Sequence, residues 1–102
     1  MRLNYRPQFI AGVEEGADYL AEDAGGKIAA EWLAALKERL RLIAQFPEVG
    51  RIRRDLPQPN IRTINLRKFT KFLVFYRVEK GAVELLRVKH GMMHLPGLFA
   101  EE

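Results

Sequence analysis

The chain contains no cysteine and, on reading it through, no serine. The first absence excludes a disulfide framework and thiolate metal sites, and it suits a reducing compartment. Together they remove the two commonest hydrolase nucleophiles, leaving only Thr63 and Thr70, neither with a partner suggested by its neighbours. Long apolar runs are missing as well. Nothing approaches the roughly 18–20 residues of a membrane span, and "MRLNYRPQF" offers no signal-peptide core. These features lead to the expectation of a cytoplasmic protein without a membrane contact. Nucleotide-binding loops of the G-x-x-x-x-G-K-[ST] or G-x-G-x-x-G kind do not occur. No cofactor is expected.

What is present is charge, unevenly placed. The 102 residues carry a net +4. Residues 1–50 hold six Lys/Arg against eight Asp/Glu, residues 51–91 hold eleven against three, and the last eleven add two glutamates. A basic module of +8 thus succeeds a mildly acidic half. Such a module suits a polyanion or an acidic protein segment; the plainer alternative is a solvated basic face. Its members include Arg51, Arg53, Arg54, Arg62, Arg67, Lys68, Lys71, Arg87 and Lys89. Phe69, Phe72, Phe75 and Tyr76 interleave with them. That mixture fits single-stranded nucleic acid, but Phe75 and Tyr76 fit a core better, so direct nucleic-acid binding stays open.

The periodicity predicts one domain over 1–102. "RLNY" is a short strand. Pro7 opens a helix whose apolar positions Ile10, Val13, Ala17 and Leu20 recur at helical spacing, ended by Gly25-Gly26. A second helix is predicted from about Lys27 to Phe46 with Ile28, Trp32, Leu36, Leu40 and Ile43 as its stripe. "GRIRRDLPQPN" reads as an irregular arm. Strands are predicted at 61–66, 72–78 and 83–90, with a turn at Glu79–Ala82. Strict alternation in the last strand sets Val83, Leu85, Arg87 and Lys89 on one face. The expected fold is α+β, in the order β-α-α-β-β-β, with a helical hairpin on a small, mostly antiparallel sheet.

The two histidines, His90 and His94, bracket Met92 and Met93 in "RVKHGMMHLPGLF". Gly91 and Pro96 oppose the helix that an H-x-x-x-H metal pair needs, so no metal site is expected. Either histidine could serve as a general base, although a structural role is the commoner one.

"FPEVGRIRRDL", "FLVFYRVEKGAVELLRVKHG" and the terminal "LPGLF" together resemble the ParE/RelE superfamily of bacterial toxins from type II toxin–antitoxin modules, and the ParE branch in particular. The resemblance implies neutralisation by a cognate antitoxin in a hetero-oligomer. It implies either inhibition of DNA gyrase, as in the ParE branch, or ribosome-dependent mRNA cleavage, as in the RelE branch. A third alternative is a toxin fold without toxicity. Where ribonuclease members have arginine in the central strand, arginine after the last strand's glycine, and a terminal tyrosine, this chain has Leu73, Met93 and Phe99. Leucine and methionine cannot stabilise phosphate charge, and phenylalanine has no hydroxyl for proton transfer. The expectation is therefore action by binding, with no catalytic residue. Arg51, Arg53, Arg54, Arg87, Lys89, His90, Met92, Met93 and Phe99 are the candidate contacts to antitoxin or target. Arg51, Tyr76, Arg77, Arg87, His90 and Gly91 match the family pattern. Met92, Met93 and His94 replace the Arg-Arg-Asp of many ParE-like chains, which exchanges charge for an adaptable apolar contact.

Overall fold

The computed structural model describes residues 1–90. Its elements are β1 (Arg2–Tyr5), α1 (Pro7–Ala24), α2 (Gly26–Gln45), β2 (Arg51–Ile52), β3 (Arg62–Asn65), β4 (Phe72–Glu79) and β5 (Ala82–His90). The strands form one sheet in the order β1-β5-β4-β3-β2. β1 runs parallel to β5, whereas the other three pairings are antiparallel. The α+β architecture is the expected one, with a short strand added at Arg51–Ile52. Prolines 57 and 59 confine the irregular arm to the residues between β2 and β3, and the Arg53 N–H still donates to the Ile61 carbonyl at 2.8 Å.

Pro7 occupies the first turn of α1, where its missing N–H costs nothing. Gly25 alone joins the helices. At φ +97° it adopts a backbone conformation that L side chains rarely take, its N–H closes α1 on Ala21 O, and its carbonyl receives Ala29 N–H to open α2. The hairpin lays both helices on one face of the sheet. There Phe9, Leu20, Trp32, Leu36, Leu40 and Ile43 pack with Val74, Tyr76, Val83, Leu85 and Val88. The stripe of α2 is as expected from Trp32 onward, but at its start Ala29 is buried and Ile28 is only half-buried. That of α1 is rotated: Phe9 is buried, while Ile10 is 46% exposed. Phe9 lies four residues before Val13 and so falls on the Val13–Leu20 side of the helix.

Lys80 and Gly81, with φ of 52° and 77°, make the two-residue turn between β4 and β5, as a primed hairpin turn requires. Further along this hairpin, Phe75 opposes Arg87 but Tyr76 opposes Leu85, leaving Leu86 as an extra residue in β5. This bulge resets the alternation. Val83 and Leu85 face the helices, but so does Val88, while Leu86 joins Leu56, Ile61 and Phe75 in a second cluster. Arg87 and Lys89, expected on the face of Val83 and Leu85, oppose Phe75 and Leu73 and so lie on the other face.

Candidate protein-docking site

The basic residues separate into two stations. At the β2 edge, Arg51 and Arg54 are exposed and make no ion pair among the described residues. Arg53 is engaged: its Nε and Nη2 donate to the two carboxylate oxygens of Asp55 at 2.9 and 2.7 Å. That forked hydrogen bond holds the Asp55 carboxyl below its ordinary range, against a smaller opposing effect of burial.

The second station is the far half of β5. Arg87 is only 7% exposed and its Nη1 donates to the Leu86 carbonyl at 2.8 Å. Lys89 Nζ lies 4.0 Å from Glu15 on α1. His90 sets its ring edge-on to Phe72 at 5.3 Å between centroids, and Phe72 stands edge-on to Trp32 at 5.4 Å. The histidine is thereby tied to the aromatic centre of the core. Met92, Met93, His94 and Phe99 lie outside the described residues.

Cross-strand pairing links the stations. Arg51 opposes Thr63, Thr63 opposes Phe75, and Phe75 opposes Arg87, in one row across the helix-free face. Three strand spacings separate the two arginines, roughly 14 Å. Between them lies the small apolar cluster of Leu56, Ile61, Phe75 and Leu86, with Leu73 packed against it. That cluster is a second small core, with Leu56, Ile61, Phe75 and Leu86 all buried and Arg87 buried beside them, so the open cationic end of the row is Arg51. Among the described residues, no group of three His, Cys, Asp or Glu could hold a metal ion, and no helix is long and apolar enough to cross a membrane.

The turn that presents Arg51 is locked from below. The Tyr76 hydroxyl donates to Pro47 O at 2.8 Å and accepts from the Gly50 N–H at 2.8 Å. A Cβ on Gly50 would sit 2.6 Å from that oxygen, so the approach demands glycine. Arg62 Nη1 adds bonds to Gly50 O at 2.7 Å and Glu48 O at 3.1 Å. Burial pushes the Tyr76 phenol up, with the Gly50 hydrogen bond opposing it. The Pro-x-x-Gly-Arg motif is thus a rigid mount for its arginine.

Sequence reasoning missed a groove of about 710 Å³ beside this mount, lined by Phe46, Val49, Ile52, Arg62 and Val78 among others. Its one local signal was the pair of apolar residues, Phe46 and Val49, flanking a solvent-side turn.

Comparison with known proteins agrees with this architecture. A solved chain from the chromosomal ParDE toxin–antitoxin system of P. aeruginosa superposes with a TM-score of 0.75 at 21% identity, covering 88% of this chain and 95% of that one. That likeness shows the fold. Toxin ParE3 of Caulobacter vibrioides is 32% identical over 76 residues, 74% of this chain and 72% of that protein. The family described as the ParE toxin of the type II toxin–antitoxin system parDE matches residues 3–95, a span that takes in both helices and all of the sheet but the first residue of β1. The chain belongs to the ParE toxin family of type II toxin–antitoxin systems.

Proposed function

We propose that this protein is a cytoplasmic toxin, one domain throughout, that inhibits DNA gyrase by binding it and is silenced by a cognate antitoxin. The observation that carries this reading is the family match over residues 3–95. The central strand adds physical support. Leu73 stands where the ribonuclease branch places an arginine, and it packs against the apolar cluster of the helix-free face. A leucine there supplies contact area and no phosphate stabilisation.

In this reading the β5 station contacts the target: Arg87, Lys89 and His90, continued by Met92, Met93 and Phe99. Thioethers repack against an irregular apolar pocket, and basic neighbours steer association with an acidic surface. Arg51, Arg53 and Arg54 contribute to the antitoxin side.

The test is DNA supercoiling by purified gyrase with and without the protein, beside an mRNA-cleavage assay on ribosomes. Inhibited supercoiling with intact mRNA is expected, and removal of residues 92–102 should abolish the inhibition. Codon-specific cuts lost on His90→Ala would assign the chain to the ribonuclease branch instead.

A further inference from the structure

The far half of β5 has a strand on one side only. β1 pairs with Ala82–Leu85, so among the described residues no strand flanks Leu86–His90 opposite β4. α1 lies there instead. A Cβ on Gly12 would sit 2.9 Å from Val88 O, which brings the helix backbone against the strand. Beside this contact opens a hollow of about 410 Å³, lined by Glu15, Gly16 and Tyr19 of α1, Phe72 of β4, and Lys89 and His90 of β5, among others. That lies within the roughly 300–1,000 Å³ of pockets that enclose a ligand. Its walls are braced. His90 stands edge-on to Phe72, and Phe72 to the fully buried Trp32, whose ring also fills the space beside Gly16. A pocket fixed before binding spares an ordering cost. Tyr19 forms its open wall and is 60% exposed, more than any other large apolar side chain described.

Charge selects the occupant of this hollow. α1 carries Glu14, Glu15, Asp18, Glu22 and Asp23 and no lysine or arginine. Glu15, Tyr19, Glu22 and Asp23 recur at the spacing of one helix face, so carboxylates flank the exposed ring along the helix. Glu22 and Asp23 make no ion pair among the described residues. Glu15 has a loose one, to Lys89 at 4.0 Å, and its side chain is 74% exposed. A second copy docked face to face would set two acidic helices against each other. An acidic segment, of the kind the arginines at β2 attract, meets the same repulsion here. A cationic side chain with an apolar stem meets neither. Arginine fits best, because its planar guanidinium stacks on an aromatic face and its stem lies along apolar surface.

We propose that the hollow between α1 and β5 receives an arginine side chain of the toxin's protein target, with Tyr19 as its stacking wall and Glu15 as its carboxylate. The inference rests on the reading that the far half of β5 contacts the target, and not on gyrase being that target. It makes the contact one of mixed charge. The incoming guanidinium takes Glu15 from Lys89, and Lys89 then meets a carboxylate beside the arginine. It also adds α1 to a surface that the sequence placed only on β5 and the residues after it.

The experiment uses the full chain, with purified gyrase as probe beside growth inhibition in cells lacking the antitoxin. Tyr19 and Glu15 are exposed, so their variants should fold, and circular dichroism with thermal unfolding checks this. Tyr19→Ala removes the wall, Tyr19→Leu keeps apolar surface without a ring, and Tyr19→Phe keeps the ring. Glu15→Gln removes the carboxylate, and Glu15→Lys reverses it. Tyr19→Ala and Glu15→Lys should each raise the concentration for half-inhibition of supercoiling about tenfold or more. Tyr19→Leu should fail as Tyr19→Ala does, Tyr19→Phe should retain inhibition, and Glu15→Gln should fall between the unaltered chain and Glu15→Lys. Calorimetry should show antitoxin affinity unchanged in all five. Unchanged inhibition in Tyr19→Ala and Glu15→Lys would overturn the proposal. So would full activity in Tyr19→Leu with no effect of charge at position 15, since an apolar anchor would then fill the hollow. Equal loss of antitoxin affinity would assign the hollow to the antitoxin and also overturn it. If the unaltered chain stops growth without inhibiting gyrase, and the same variants relieve growth while binding the antitoxin, the gyrase reading fails and the hollow inference stands. A folded chain that inhibits neither gyrase nor growth has no target for the hollow, which overturns the inference too.

Discussion

Tyr76 shows how much one side chain does in this fold. Its ring belongs to the core beneath the helices, and its hydroxyl holds the turn that carries Arg51. Tyr76→Phe keeps the ring but leaves the Gly50 N–H and the Pro47 carbonyl unpartnered. The expected cost is about 1–3 kcal/mol by chemical denaturation. The same burial creates a pH dependence. The folded phenol ionises above the usual value near 10, so the unfolded chain loses its proton first. Stability contributed by the neutral phenol is full below that value and declines as pH rises through it. Denaturation midpoints should fall in this alkaline range, and the Tyr76 share of the fall should vanish in Tyr76→Phe. The place of the ring in the core was legible in "FLVFYRV", but the hydroxyl's role was not, because Pro47 and Gly50 lie 29 and 26 residues away in the chain.

At the scale of elements, α2 carries most of the helical side of the core, and its stripe of apolar residues at steps of three and four made it readable from sequence alone. Leu36 is 3% exposed within that stripe. Leu36→Ala should destabilise the protein by about 2–5 kcal/mol, measured by equilibrium unfolding, through lost transfer energy and the cavity left behind. The crossing of α1 over α2 sets a tighter limit. A Cβ on Gly16 would meet the Trp32 ring at 2.6 and 2.8 Å. Trp32 is fully buried and its ring cannot bend away, so Gly16→Ala should push the helices apart, at about 1–3 kcal/mol. A changed tryptophan emission alongside the lowered unfolding midpoint would report the shift. The α1 face itself was misread by one position, at Ile10 in place of Phe9, because a helix only partly covered by the sheet keeps apolar residues at its margin.

For the whole molecule, charge and shape act at different stages of binding. The basic half, net +8 over residues 51–91, should steer an acidic partner toward the protein, while apolar contacts should hold it. Raising salt from about 50 to about 500 mM should therefore slow association several-fold and leave dissociation nearly unchanged. Stopped-flow association and surface-capture dissociation measure the two rates separately. A dissociation rate that rises as steeply as association falls would place the retaining energy in ion pairs instead.

The sequence by itself determined the features that depend on neighbours: two amphipathic helices, a glycine joint, a hairpin turn at Lys80-Gly81, and a basic second half on an acidic first. Those signals are local, since helical and strand periods and turn chemistry act over a few residues. Its motifs also carried the family resemblance, and with it the ParE reading. The tertiary structure decided the rest. The bulge at Leu86 moved Arg87 and Lys89 to the helix-free face, against strict alternation, because β4 and β5 pair off register beyond Phe75. Strand pairing aligned Arg51 and Arg87 in one row, although 36 residues of chain separate them. The groove beside β2 stayed open, because α2 ends before the sheet it covers. Each outcome depends on where one element meets another, and no single stretch of residues holds that information.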